Sequence, residues 1–198
     1  MTVDDGPEWP ALVQRVREHL GAHFAAAGIT TAPDTASVTF LGIEPITVLR
    51  FGPDARTVSH YASLGCSRHG MGEDPAQGAR AEVVVSLLGP VRAGLARSVA
   101  VLAAAPVVEG LVLTPDSIVD LGQPLWEGAP FTAFLLCASA IDALVSSRHA
   151  TVQFWQASPI TATEAAWVRL KGADAMREAW QQDGVDVLDP RRTAGRPR

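Results

Sequence analysis

Apolar and polar residues change their period several times along this chain, and each change marks an element. Between 8 and 26, Leu12, Val16, Leu20 and Phe24 fall four apart, a single stripe that predicts an amphipathic helix. Pro7 and Pro10 fit only near its start, and Gly28 is a natural stop. The period then drops to two. "SVTFLGI", "ITVLRFG" and "RTVSHYASLG" are β-branched and aromatic runs, and in the third Val58, His60, Ala62 and Leu64 alternate with Ser59, Tyr61 and Ser63. "RAEVVVSLLG", residues 80–89, is apolar at successive positions, the pattern of a strand buried on both faces.

A second helix is expected over 91–105, with Leu95, Val99, Leu102 and Ala103 on one face and Pro106 ending it. "GLVLTP", "SIVDLG", "FTAFLLC" and "TVQFWQA" read as short strands, and 121–130 as turn chemistry around Trp126. "TATE", 161–164, has the spacing of a capping box: Thr161 bonds an orphan amide and Glu164 reaches back. A helix follows to about Lys171, Gly172 interrupts it, and "ADAMREAWQQ" makes another, with Met176 and Trp180 on one face. Helix, strands, helix, strands, helices is an α+β order rather than a regular βαβ alternation. The organisation expected is a flexible N-terminus over 1–7, one domain over 8–188 and a disordered basic tail over 189–198.

Composition narrows the function. The 198 residues are 47% hydrophobic and 19% charged, a chain ruled by burial. Its net charge is −5, and without the four arginines of the last eight residues the remainder carries −9. An acidic body repels phosphate backbones, so nucleic acid is not an expected partner; a small molecule or a basic protein is. Two cysteines make no disulfide framework. The acidic "MTVDDGPEWP" has no apolar signal core. The most apolar runs are broken by Pro106, Glu109 and Asp142, too early to span a bilayer. The cytoplasm is the expected compartment.

Candidate chemistry gathers in the glycine-rich loop 65–79, beginning "GCSRHGMGED". Cys66 and His69 are spaced C-x-x-H, but a catalytic thiol takes its base from distant sequence rather than from the same turn. Cys66 therefore reads as a structural cysteine at a strand end. A zinc site would need Cys66, His69, His60 and Cys137 together, and nothing in their spacing requires it; no cofactor is expected. The alternative, a small metal- or thiol-dependent enzyme centred on Cys66 and His69, rests on this cluster. His19 and His23, at i and i+4, read as a solvated helix face. There is no phosphate loop and no nucleophile elbow. Glu73 and Asp74 are an adjacent acidic pair, ordinary surface. The stretch from Arg68 to Gly78 is long enough to be a contact surface, and Trp126, in a turn, is a candidate exposed anchor. No catalytic set assembles, which favours a binding protein over an enzyme.

Several pieces in order resemble the suppressor of fused domain family: a strand ending in "SLGCS", a variable loop, "RAEVVVSL", "LARSVAVLAAAPVVEG", "LGQPLWEGAPFTAFLL" and "PITATEAAWVRLKGADAMREAW". The resemblance covers about 8 to 182. It implies a mixed, mostly antiparallel sheet flanked by helices, with an N-terminal helix and a C-terminal helix pair. It implies protein binding without catalysis. Eukaryotic members hold a transcription factor through an extended peptide; some bacterial members are thought to be immunity proteins that neutralise a toxin. Fifteen arginines to one lysine suggest a GC-rich bacterial source, so the bacterial branch is the comparison. By resemblance, Gly65 and Ser67 match the strand-end pattern, Arg80 and Glu82 the charged start of the next strand, where they are expected to lock the loop by a salt bridge, and Thr161 and Glu164 the helix start. The partner implied is a protein, a basic toxin or an extended peptide; oligomeric state is left open.

Overall fold

Helix α1 (Trp9–Ala26) is followed by strands β1 (Asp34–Phe40), β2 (Ile43–Phe51) and β3 (Val58–Leu64), a single 3-10 turn (Cys66–Arg68), strand β4 (Arg80–Leu88), helix α2 (Leu95–Glu109), strands β5 (Ile118–Asp120), β6 (Phe131–Ala138) and β7 (Val152–Thr161), and helices α3 (Ala162–Lys171) and α4 (Ala173–Gln182). This computed structural model describes residues 9–74, 78–145 and 151–195; the expected flexible segment 1–7 lies outside them. The strands form one seven-stranded sheet in the order β1-β2-β3-β4-β7-β6-β5. Every neighbouring pair is antiparallel except β4 and β7, which run parallel from Arg80↔Val152 to Val84↔Gln156. The α+β expectation and the mixed sheet hold.

The triple valine explains β4. It sits mid-sheet, bonded to β3 on one side and β7 on the other, and both its faces are covered. Val83 and Val85 join the core under α2, with Val48, Tyr61, Phe134 and Leu136. Val84 points the other way, to the α1 stripe Leu12, Val16, Leu20 and Phe24 and to Leu49, Leu64 and Phe154. Further along that second face, Ala165 and Val168 of α3 and Met176 and Trp180 of α4 cover Ala133, Leu135 and Ile160. One helix therefore covers one face, and α1 with the C-terminal pair covers the other. Each buried Val, Leu, Ile, Phe or Met among them contributes about 1.5–3 kcal/mol of transfer free energy.

Three expectations are corrected. Helix α2 runs through Pro106 and ends at Gly110, a left-handed residue with φ 70°. A proline one turn from the end removes a single backbone bond, and the glycine makes the stop instead. "GLVLTP" pairs with no strand. Its Leu113 N–H donates to Met71 Sδ at 3.3 Å, and its carbonyl accepts from Trp155 Nε1 at 3.0 Å, so side chains rather than a ladder satisfy that backbone.

The third concerns the tail. The described part of 189–198 is not free: Arg192 is 7% exposed. Its guanidinium donates to both Glu164 oxygens, at 2.7 and 3.1 Å, and to the Pro159 carbonyl at 2.8 Å. Gly195 N–H donates to Glu164 Oε1 at 2.9 Å. The sequence predicts a disordered basic tail over 189–198, but the buried Glu164 carboxylate needs a cation beside it.

Candidate functional site

Arg80 and Glu82 open β4 on the same side of the strand, and both are buried. Glu82 is 0% exposed. Its carboxylate accepts from Gly65 N–H at 2.9 Å, from Ser67 N–H at 3.1 Å and from Ser67 Oγ at 2.7 Å. Ser63 Oγ donates to it as well and accepts from Val83 N–H at 2.9 Å. Arg80 Nη1 donates to the Ser67 and Arg68 carbonyls, both at 2.8 Å. The carboxylate thus takes amides at the start of the 3-10 turn, and the guanidinium takes carbonyls at its end. That arrangement complements the turn's dipole. The loop lock expected of this pair is present, and it runs through the loop backbone. Gly65 has φ 128°, and a Cβ there would lie 2.9 Å from Arg68 Nη1, so the turn needs glycine.

Cys66 lies inside this lock and is 1% exposed. Burial pushes its thiol well above the usual range, and the Glu82 charge adds to the shift. A thiol held protonated is no nucleophile. Its contact with His69 is a backbone bond, His69 N–H to Cys66 O at 3.1 Å.

The outer side of the turn faces a cleft of about 760 Å³, lined by Gly42 to Glu44 of the β1–β2 hairpin, Arg68, His69, Gly70, Gly72, Arg80, and Pro106, Val107 and Gly110 at the end of α2. Arg68 is fixed across it, its Nε 3.2 Å from Glu44 and its Nη1 donating to Pro45 O at 3.0 Å. His69 Nε2 is buried and, among the described residues, has no hydrogen-bond partner. Burial holds its imidazole below the usual histidine range, helped by the charges of Arg68 and Arg80, with Glu44 opposing. Leu41 at the hairpin tip is 103% exposed, and Val108 in the last turn of α2 and Leu111 and Val112 beyond it are exposed too. Apolar side chains therefore stand exposed on two walls of the cleft, the hairpin and the end of α2.

The structure sorts the predicted residues plainly. Arg68, His69 and Arg80 line the cleft. Cys66 and Glu82 lie beneath it and act on the fold. Glu73 and Asp74 stay exposed on the loop. Trp126 is corrected: it is 5% exposed and packs on Phe131, ring centroids 5.3 Å apart. Proline and glycine around it mark a turn, but a covering turn, folded onto the core at α2. His19 and His23 are corrected as well, being half-buried. His19 stacks on Phe154 and has Nε2 2.7 Å from the Asp142 carbonyl. A helix lying flat on a sheet buries the residues flanking its stripe.

His60 is not brought to Cys66. It faces α1, its ring 4.9 Å from Phe24, with Nδ1 2.9 Å from Ser86 Oγ and Nε2 3.8 Å from the Asp54 carboxylate. Burial lowers its affinity for a proton, with Asp54 opposing. Cys137 is on β6, its Sγ bonded to the Gln156 carbonyl at 3.5 Å. Burial raises that thiol also. Among the described residues no three His, Cys, Asp or Glu side chains converge as metal ligands. None of the described helices is long and apolar enough to cross a membrane.

Comparison with known proteins follows the same outline. The family model described as Suppressor of fused protein (SUFU) matches residues 42–193. A comparison with curated proteins gives no match. Among solved structures, the chain is similar to a suppressor of fused homologue from Neisseria gonorrhoeae FA 1090, with TM-score 0.67 and 19% identity over 92% of this chain and 96% of that one. It is similar to a chain of the Sufu–Fu complex, with TM-score 0.65 and 17% identity over 96% of this chain and 92% of that one. Drosophila suppressor of fused gives TM-score 0.64 and 15% identity over 95% of this chain, which spans 51% of the insect protein. At these identities the structures share a fold.

Proposed function

The chain belongs to the suppressor of fused family, and from that premise we propose that it is a non-enzymatic domain whose work is to bind another protein. The observation that carries the reading is the cleft beside the strand-end lock. Its walls come from the β1–β2 hairpin, the 65–72 loop and the end of α2, and apolar side chains stand exposed around it. The lock makes the loop rigid, so a partner meets a preformed surface and orders little on binding. The buried thiol of Cys66 supports binding over thiol chemistry.

The partner we propose is a basic protein, with this chain serving as an immunity protein against a cognate toxin. The net charge of −5 supports it. An acidic surface steers a basic partner and makes the association sensitive to salt. The test is affinity capture of the tagged protein from its host lysate at low salt, with elution by raised salt and identification by mass spectrometry. A single basic protein released by salt, and toxic when expressed alone, supports the reading. Salt-insensitive capture of an acidic protein overturns the proposed partner.

A further inference from the structure

A second surface lies at the opposite end of α2. A groove of about 410 Å³ runs between β1 and β2 on one side and the segment entering α2 on the other. Val38 and Val48 form one wall, exposed Val91 and half-buried Ala96 the other, and Arg92 and Arg97 stand at its lip. Tyr61 is buried at its base.

What marks the groove is where its two arginines stand, both at the lip of an apolar trough. Several other arginines of the domain are matched to carboxylates: Arg50 to Asp34, Arg68 to Glu44, Arg169 to Asp120, Arg177 to Asp116 and Arg192 to Glu164. Among the described residues, Arg92 and Arg97 have no carboxylate within 4 Å. The Arg92 Nε is buried and has no hydrogen-bond partner. On a chain with five more negative than positive charges, two neighbouring cations left unmatched beside an apolar trough form a local inversion of sign. Guanidinium forks take carboxylates in paired, charge-assisted bonds.

We propose that this groove receives a segment of a partner protein that carries one aspartate or glutamate between apolar side chains, the carboxylate held by Arg92 and Arg97 and the apolar neighbours laid on Val38, Val48 and Val91. This goes beyond the reading of the cleft and does not rest on it, since the two surfaces share no residue.

The test is a two-dimensional amide NMR titration of the labelled protein with the capped tripeptides acetyl-Leu-Asp-Leu-amide and acetyl-Leu-Asn-Leu-amide at low salt. Saturable shifts at Val91, Ala93–Arg97 and Tyr61 are expected with the aspartate peptide. Binding of the asparagine peptide is expected to be at least tenfold weaker. The double substitution Arg92→Gln and Arg97→Gln is expected to abolish the shifts, and Arg97→Gln alone, at an exposed position, to weaken binding severalfold with an unchanged spectrum elsewhere. Four results overturn the proposal. They are no saturation at millimolar peptide, equal affinity for both peptides, shifts confined to the residues around His69, or the same shifts on concentrating the protein alone, which would make a second copy the occupant.

Discussion

The Arg192 guanidinium sits between the rings of Phe131 and Trp180, 4.8 and 5.2 Å from their centroids, and grips both oxygens of Glu164. Glu164 also caps α3, accepting from the Thr161 N–H at 2.9 Å while Thr161 accepts from the Glu164 N–H. Trp180 Nε1 donates to it at 2.8 Å. One carboxylate therefore joins the start of α3, the end of α4 and the C-terminal segment.

Removing the cation should strand that carboxylate. Arg192→Ala, and a chain ending at Asp189, are each expected to lose about 3–5 kcal/mol of stability, the cost of a buried charge left unpaired. Urea denaturation measures it. A truncated chain as stable as the full one would mean that the segment after Asp189 hangs free.

Stability should also fall with acid, in two stages. Burial lowers the proton affinity of His23, His60 and His69 in the fold. Their contribution is complete above the unfolded histidine value, about 6.5, and is lost as pH falls through the lower folded values. Glu164 follows at lower pH. Burial alone would raise its pKa, but the bonds from Arg192, Thr161 and Gly195 outweigh it and the net direction is down. Its contribution is complete above the unfolded glutamate value, about 4.3, and is lost below. Denaturation midpoints between pH 8 and 3 should show both steps, and His60→Gln should shrink the first alone.

The strand-end lock should control access to Cys66. In Glu82→Gln, the amide's own donor meets the Gly65 and Ser67 amides, at an expected cost of about 2 kcal/mol or more. Native Cys66 should react with a thiol reagent far more slowly than a free cysteine, and Glu82→Gln should speed it. The disulfide reagent that releases a chromophore reads both rates.

Charge placed beside the cleft should spare the fold and harm binding. Leu41 and Val108 are exposed, so Leu41→Lys with Val108→Lys, which removes apolar contact and repels a basic partner, is expected to change stability by less than about 0.5 kcal/mol per site. The partner captured at low salt should be lost. Retained capture would move the contact surface elsewhere on the domain.

Periodicity read the elements well where a local pattern suffices. The α1 stripe, the double-sided burial of β4 and the capping box at Thr161 all stand in the structure as their spacing implies, because one helical turn or one strand pair decides them. Glu82 and Arg80 were legible as a pair that restrains the loop. The cleft was legible in part, since its loop wall is contiguous in sequence while its other walls come from the hairpin and from α2.

What periodicity missed depends on distance along the chain. Pro106, a helix breaker by local rule, is tolerated because the stop belongs to Gly110. Trp126 looked exposed because turns usually are, yet its turn folds back onto Phe131. Arg192 looked like part of a solvated tail because its carboxylate lies 28 residues away. The sequence by itself determined the helices, the strands and the residues that must be inside, since those follow from short-range sterics and from the period of burial. Only the tertiary structure decided which buried charges meet, which arginines are left unmatched and where the open surfaces lie, because pairing a charge out of water depends on neighbours that chain order does not specify.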